Sequence, residues 1–322
     1  MQVIQARNVN DAAVKGKALL RQLGIQQESR AGNVLRIPEP VTTVYSRPWE
    51  CVMFDEGRDA NPFFHLFEAL WMIAGRDDVA ALSRFNKRIG DFSDDGESLH
   101  GAYGRRWRYH WGFDQIEEIV RRLKSNKFDR RQILQMWDPE ADGADQQSMK
   151  DLPCNTCVHF QGSSFGELDM TVFCRSNDAV WGCYGSDAVT FSILQQYVAS
   201  KCGMSVGRYW QISDNFHAYD ATFGQLPEAV NDPYSANEVE YVKLFIPSTP
   251  EINMLLDQGP EALGYTSTFI RKVAVPMLKA HDFYKEGDFD SAYAALTDSA
   301  SDWLVASKRW LKRREARRGQ RA

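Results

Sequence analysis

The stretch from Pro62 to Gly75, PFFHLFEALWMIAG, constrains this chain more than any other part of it. Proline suits the first turn of a helix, where its missing N–H is not needed, and glycine suits the position just past the last turn. Between them the apolar residues keep helical spacing, so the segment predicts a helix packed against other apolar surface. One acidic residue, Glu68, interrupts the run. A carboxylate in an apolar stripe is costly unless it points outward, is paired, or has a function. Glu68 is therefore the first candidate for chemistry.

The rest of the chain frames that helix. With 322 residues it can bury one large core or two modest ones, and 43% hydrophobic against 25% charged residues excludes extensive disorder. Residues 11–24 carry helical spacing after an Asn-Asp start, and LRIPEPVTTVYSRPWECV is β-branched with prolines that confine strands to edges or ends. Residues 90–101 read as a loop and 113–124 as an amphipathic helix. RRQILQMWDP, CVHFQGSSFGELDMTVFCRS and GRYWQISD read as strands, FSILQQYVASKCG as a helix stopped by Gly203, and helices return after Pro260. No repeat or linker divides the chain. The expectation is α+β: a single domain over 1–322, with a mixed β-sheet packed by helices, a core over about 20–250, and a helical basic extension over about 260–322.

The opening residues lack the apolar stretch of a secretory signal, no run approaches a membrane span, and six cysteines follow no disulfide spacing. These features predict a cytoplasmic protein with reduced thiols. Lys308, Arg309, Lys312, Arg313, Arg314, Arg317, Arg318 and Arg321 crowd the end of the chain, against a formal net charge of −5 overall. They read as a solvated helix end or as a polyanion contact. In DLPCNTCVHF, Cys154 follows a proline where a strand begins, and Arg130, Arg131 and Arg175 flank strands of the same expected sheet. Cations lower a thiol's pKa, which makes Cys154 a candidate nucleophile. The pair Cys154 and Cys157 has no second CxxC and no paired histidines, so a metal site is not expected.

Several motifs then occur in order: SRAG at 29–32, EALWMIAG at 68–75, AYGRRWR at 102–108, DRR at 129–131, MWDP at 136–139, LPC at 152–154, RSND at 175–178 with Gly182, and HAY at 217–219. Together they resemble the thymidylate synthase family over roughly residues 20–225. The resemblance implies that Cys154 attacks C6 of a pyrimidine nucleotide and that 5,10-methylenetetrahydrofolate supplies a one-carbon unit to C5. It implies Glu68 as proton relay, and Arg30, Arg130, Arg131, Arg175 and Ser176 as the phosphate cradle. His217 and Tyr219, two apart on a strand and so facing one way, would hold the sugar, and Asp178 would contact the pterin. In the family, the paired arginines reach into the neighbouring subunit's site, which implies a homodimer.

Uracil-specific members carry an Asn where Asp187 falls if one extra residue is allowed after Gly182; without it Ser186 falls there. An Asp accepts from a 4-amino group and, when protonated, donates to N3, which points to dCMP and to the deoxycytidylate hydroxymethylase branch. Such an enzyme would be phage-encoded and act in a host cytoplasm, with nucleic acid and membrane not expected as partners. Ile89 and Phe92 stand where methylating members carry tryptophans, and the chain ends in a basic helix rather than a capping tail. Both departures predict a wetter site and 5-hydroxymethyl-dCMP as product, unless Trp303 or another residue of the extension restores the shield. A dCMP methyltransferase, or CMP or dUMP as substrate, remain the alternatives.

Overall fold

The computed structural model describes residues 1–143, 149–241, 247–297 and 301–320. Strand β1 (Gln2–Ala6) leads into helix α1 (Val9–Leu23), and a hairpin follows of β2 (Ile25–Ser29) and β3 (Gly32–Arg36). Strand β4 (Val41–Tyr45) lies beyond Pro38 and Pro40, as the proline punctuation predicts. Helix α1 starts two residues earlier than its Asn-Asp pair suggests. Asn8, in extended conformation, accepts hydrogen bonds from the backbone N–H groups of Asn10 and Asp11 and so caps the helix itself.

Helix α2 (Pro62–Ile73) is capped by Asn61, which accepts from the N–H groups of Phe63 and Phe64, and the chain leaves it through Gly75 at φ 79°. It is buried nearly all round, Glu68 included. Helix α3 (Tyr103–Arg108) lies directly against it: a Cβ on Gly104 would stand 2.2 Å from the Met72 carbonyl oxygen, so only glycine permits the approach. Helix α4 (Gln115–Ser125) is capped by Asp114.

The sheet strands continue with β5 (Ile133–Gln135), β6 (Asn155–Gly162), β7 (Glu167–Cys174) and the short β8 (Asn177–Asp178). A π-type turn, Ala179–Ser186, then enters α5 (Asp187–Cys202), followed by β9 (Ser205–Ser213) and β10 (Phe216–Tyr219). Instead of one mixed sheet there are two: six strands in the order β1-β4-β9-β7-β6-β5 and four in the order β2-β3-β10-β8. Both mix parallel and antiparallel pairs; β1 with β4 and β7 with β9 run parallel. Helix α5 packs on β7 and β9 and against α2, burying its length from Asp187 to Ala199. On the opposite side of the sheet, Phe173, Trp210 and Ile212 are only half-buried.

Helices resume before Pro260. Helix α6 (Thr249–Gln258) is capped by Ser248 and carries Pro250 in its first turn, a start signal that the proline at 260 overshadowed. Helices α7 (Val275–Glu286), α8 (Phe289–Ala295) and α9 (Asp302–Gly319) complete the chain, while Arg321 lies outside the described residues. The extension is not an appendage. Trp303, Leu304 and Trp310 belong to the main apolar cluster, and Trp310 meets the Phe63 ring of α2 edge-on at 5.5 Å. Among the described residues no helix is long and apolar enough to cross a membrane.

Candidate active site

Cys154 sits at the mouth of β6, where the proline predicted a strand to begin, and its turn is held from two sides. Arg175, just past β7, donates from Nε to the Pro153 carbonyl at 2.9 Å and from Nη2 to that of Leu152 at 3.3 Å. The Tyr103 hydroxyl oxygen accepts from the backbone N–H of Cys154 and of Asn155, each at 3.2 Å, and from the Asn155 amide at 3.0 Å. These contacts fix where the thiol points. Burial pushes its pKa up to about 11; Arg175 opposes this, while Asp187 and Asp151 reinforce it. In this state Cys154 is a protonated thiol at neutral pH and needs its proton removed to act.

Two acids, Asp187, which acts on the thiol, and its neighbour Glu68, are poised near neutrality. Burial raises Glu68 to about 7, a hydrogen bond with Ser186 opposes the shift, and Asp187 and Asp151 add to it. Its Oε2 is buried without a partner. Asp187 is raised by burial to about 6, with a hydrogen bond from Asn155 pulling the other way. Both line a cavity of about 200 Å³ together with Tyr103, Asp151, Ser186 and Thr190, and Ile89 and Phe92 form part of its wall. The two candidates for the base-reading position thus separate. Ser186 is engaged with Glu68, whereas the Asp187 carboxyl faces Asn155 and Gln211 and acts on the Cys154 thiol.

The four-stranded sheet brings in the remaining polar groups. His217 and Tyr219 share one side of β10, their rings 5.4 Å apart and perpendicular, and β8 places Asp178 beside His217. Tyr219 is bonded to Ser29 and feels both Cys154 and Arg30, so the β2–β3 turn delivers Arg30 to this site. Arg30 makes no salt bridge among the described residues, and Ser176 follows Arg175 at the rim. Asp178 accepts from the N–H groups of Val180 and Trp181, starting the π-type turn. Burial raises its pKa and lowers that of His217, which stays neutral at physiological pH.

Arg130 and Arg131 are not brought to Cys154 within the chain. They precede β5 at the far end of β6, where Arg130 lines a separate cavity with His159, Phe160 and Gln161. Six residue steps of extended strand, about 20 Å, separate Asn155 from Gln161. Arg131 pairs instead with Asp129 at 2.9 Å. Trp303 is buried in the apolar core and lines neither of the cavities near Glu68, so it supplies no shield there.

A second, larger cavity of about 640 Å³ adjoins the first, sharing Phe92 and Ser186 with it. Its wall includes Trp181, 56% exposed, with the Arg58 guanidinium 4.9 Å over the ring. An exposed indole beside a cationic group suits a molecule that joins a flat ring system to anionic groups, as a folate does. The sequence did not single out Arg58, Asn155, Tyr103 or Asp151. Tyr103 lies in AYGRRWR and Asp151 abuts LPC, but no periodicity says that the two segments converge.

A family profile described as thymidylate synthase matches residues 63–255. The chain is 45% identical over 336 aligned residues to a deoxyuridylate hydroxymethyltransferase of Pseudomonas phage M6, covering 98% of this chain and 95% of that protein. A deoxyuridylate hydroxymethyltransferase of Bacillus phage SP01 is 32% identical over 73% of this chain and 63% of its own length. A putative thymidylate synthase of Methanothermobacter marburgensis is 33% identical over 44% of this chain and 60% of its own.

Proposed function

The chain belongs to the thymidylate synthase family, and from that premise we propose that it installs a hydroxymethyl group at C5 of deoxyuridylate. It is a folate-dependent transferase of a one-carbon unit to a pyrimidine nucleotide, with methylenetetrahydrofolate as donor. The observation that carries the proposal is the cavity shared by Glu68 and Asp187, in which Trp71 lines the inner wall but a half-exposed Phe92 stands where methylating members of the family carry a tryptophan.

Each residue then has a task. Arg30, Arg175 and Ser176 hold the phosphate, and His217 and Tyr219 the sugar hydroxyl. Cys154 gives up its proton and its sulfur bonds to C6, moving the C5–C6 electron pair onto C5 and the ring carbonyl. C5 then takes up the methylene carbon supplied by the folate. Glu68, raised by burial to about 7, passes protons through water at the ring and at the transferred carbon. Asp178 and Trp181 face the heterocycle of the donor. Loss of the C5 proton and breakage of the carbon–nitrogen bond to the folate would release tetrahydrofolate and leave an exocyclic methylene; water adds to it and the sulfur leaves C6 as thiolate, giving the hydroxymethyl product. Water access past Phe92 is what separates this outcome from methylation.

The base assignment turns on the protonation of Asp187. An ionised carboxylate only accepts hydrogen bonds and satisfies one group of either base. A neutral carboxyl offers a donor and an acceptor side by side, which fits O4 and N3–H of uracil, or N3 and the amino group of cytosine once the proton changes oxygen. Burial raises Asp187 to about 6, which brings the neutral form within reach near neutral pH, so an Asp here does not by itself select cytosine. The name of the M6 relative, which aligns nearly end to end, supports uracil. Deoxycytidylate is the second reading, favoured by the carboxyl where uracil-specific members carry an amide. We further propose a two-fold dimer, supported by the open sheet face at Phe173, Trp210 and Ile212 and by two arginines remote from their own site. The enzyme would work in the cytoplasm of an infected host.

The test is a mass spectrum of the products from dUMP, dCMP and CMP with methylenetetrahydrofolate, with absorbance followed for dihydrofolate. A hydroxymethyl gain on dUMP without dihydrofolate is expected. The same gain on dCMP alone would transfer the assignment to cytosine, and a methyl gain with dihydrofolate would overturn the water-access argument.

A further inference from the structure

The basic helix α9, outside the segment that matches the family profile, forms part of the larger cavity. Its Arg313, Arg314 and Arg317 converge on one carboxylate, Asp59, at 3.0, 2.8 and 2.8 Å. Three guanidinium groups against a single acid leave donors and positive charge unspent. Arg314 and Arg317 line the cavity, with Arg58 and Arg88 nearby and Asp59 the one carboxylate among its described lining residues. Arg58 is 4% exposed, and its Nη2 has no hydrogen-bond partner. A buried, unfilled guanidinium donor in a wall already rich in positive charge points to an anion as occupant.

The nucleotide phosphate is not that anion, because its arginines, Arg30 and Arg175, lie on the other side of the site around Cys154 and Tyr219. What the space requires is a molecule that enters from the catalytic cavity at Phe92 and Ser186, lays an aromatic portion near Trp181, and ends in carboxylates. We propose that Arg314 and Arg317, positioned by Asp59, bind the carboxylates of the donor's glutamate tail, so that α9 is the tail-binding wall of the cofactor cavity. The inference rests on the folate dependence established above and names what the basic helix contributes to it. It also favours a small polycarboxylate over nucleic acid as the partner of this basic segment.

Binding without turnover tests it. Quenching of tryptophan fluorescence in the full chain is followed for tetrahydropteroate, tetrahydrofolate and tetrahydrofolate triglutamate. In Arg314→Gln/Arg317→Gln, tetrahydrofolate should weaken about tenfold and the triglutamate more, for loss of charge-assisted hydrogen bonds. Tetrahydropteroate, which lacks the tail, should bind unchanged, and Arg314→Lys/Arg317→Lys should recover part of the loss. Arg309→Gln, whose residue pairs with Glu238 at 3.1 Å and does not line the cavity, should alter none of the three. Equal weakening of tetrahydropteroate would make α9 a structural wall only and overturn the proposal, as would an unchanged preference for the tail. If the unaltered protein binds none of the three, the folate reading beneath it fails as well.

Discussion

Asp187 and Cys154 are electrostatically opposed, and the opposition is measurable. The buried carboxyl is one of the groups that hold the thiol's pKa up. Asp187→Asn should therefore lower it and raise the rate of Cys154 alkylation by iodoacetamide at pH 8. The gain should reach up to about tenfold, which is the rise in thiolate when a pKa falls by about one. An unchanged rate at that cysteine would disconnect the two groups. Glu68 makes a second prediction, about stability. A carboxyl raised from 4.5 to about 7 binds its proton more tightly in the folded protein than in the unfolded one. Its contribution is thus full below pH 4.5 and is lost as pH rises to 7, worth at most about 3 kcal/mol. Relative to the unaltered protein, Glu68→Gln should flatten the fall in Tm across that window; an identical pH profile would mean that Glu68 is already charged when folded. Glu68 stood out in the sequence because an acid in an apolar helix breaks a local rule, whereas Cys154, whose spacing alone suits an ordinary structural cysteine, stood out through the family resemblance. Tyr103 and Asn155 did not, since a tyrosine and an asparagine break no such rule. Only the fold shows that they clamp the turn at Cys154.

At the level of elements, the site depends on how closely α2 and α3 approach, because α2 carries Glu68 and α3 carries Tyr103. Gly104 makes the approach possible, and the group that an alanine methyl would meet is backbone, which does not swing aside. Gly104→Ala should cost about 1–3 kcal/mol or more, read as a lower Tm, and should depress turnover beyond what lost stability explains. Full stability and activity would show that the helices separate freely. Helices α2 and α5 announced themselves through Pro62, Gly75 and Gly203. The split into two sheets did not, because strand partnering is set by contacts distant in sequence and each strand reads the same whichever sheet receives it. The true cap of α1, Asn8, was hidden by a second plausible pair two residues on.

For the whole molecule, the distance between Arg130 and Cys154 becomes a statement about assembly. If the arginines serve a partner's site, Cys154→Ala protein and Arg130→Ala/Arg131→Ala protein, each inactive alone, should regain activity when mixed under subunit exchange. One of the two sites in the hybrid is then intact. No recovery, or a monomer in sedimentation, would confine the arginines to another role. The order of the large sheet also sets a clock. Strand β4, at residues 41–45, has β9, at residues 205–213, as its neighbour, so its second edge stays unpaired until some 160 intervening residues have been ordered. The β6–β7 hairpin that begins just after Cys154 needs no such wait. Local pairings form fast and distant ones slowly. Refolding should thus produce the strand that follows Cys154 early and a competent pocket late, with β4 as the edge most open to wrong partners in between.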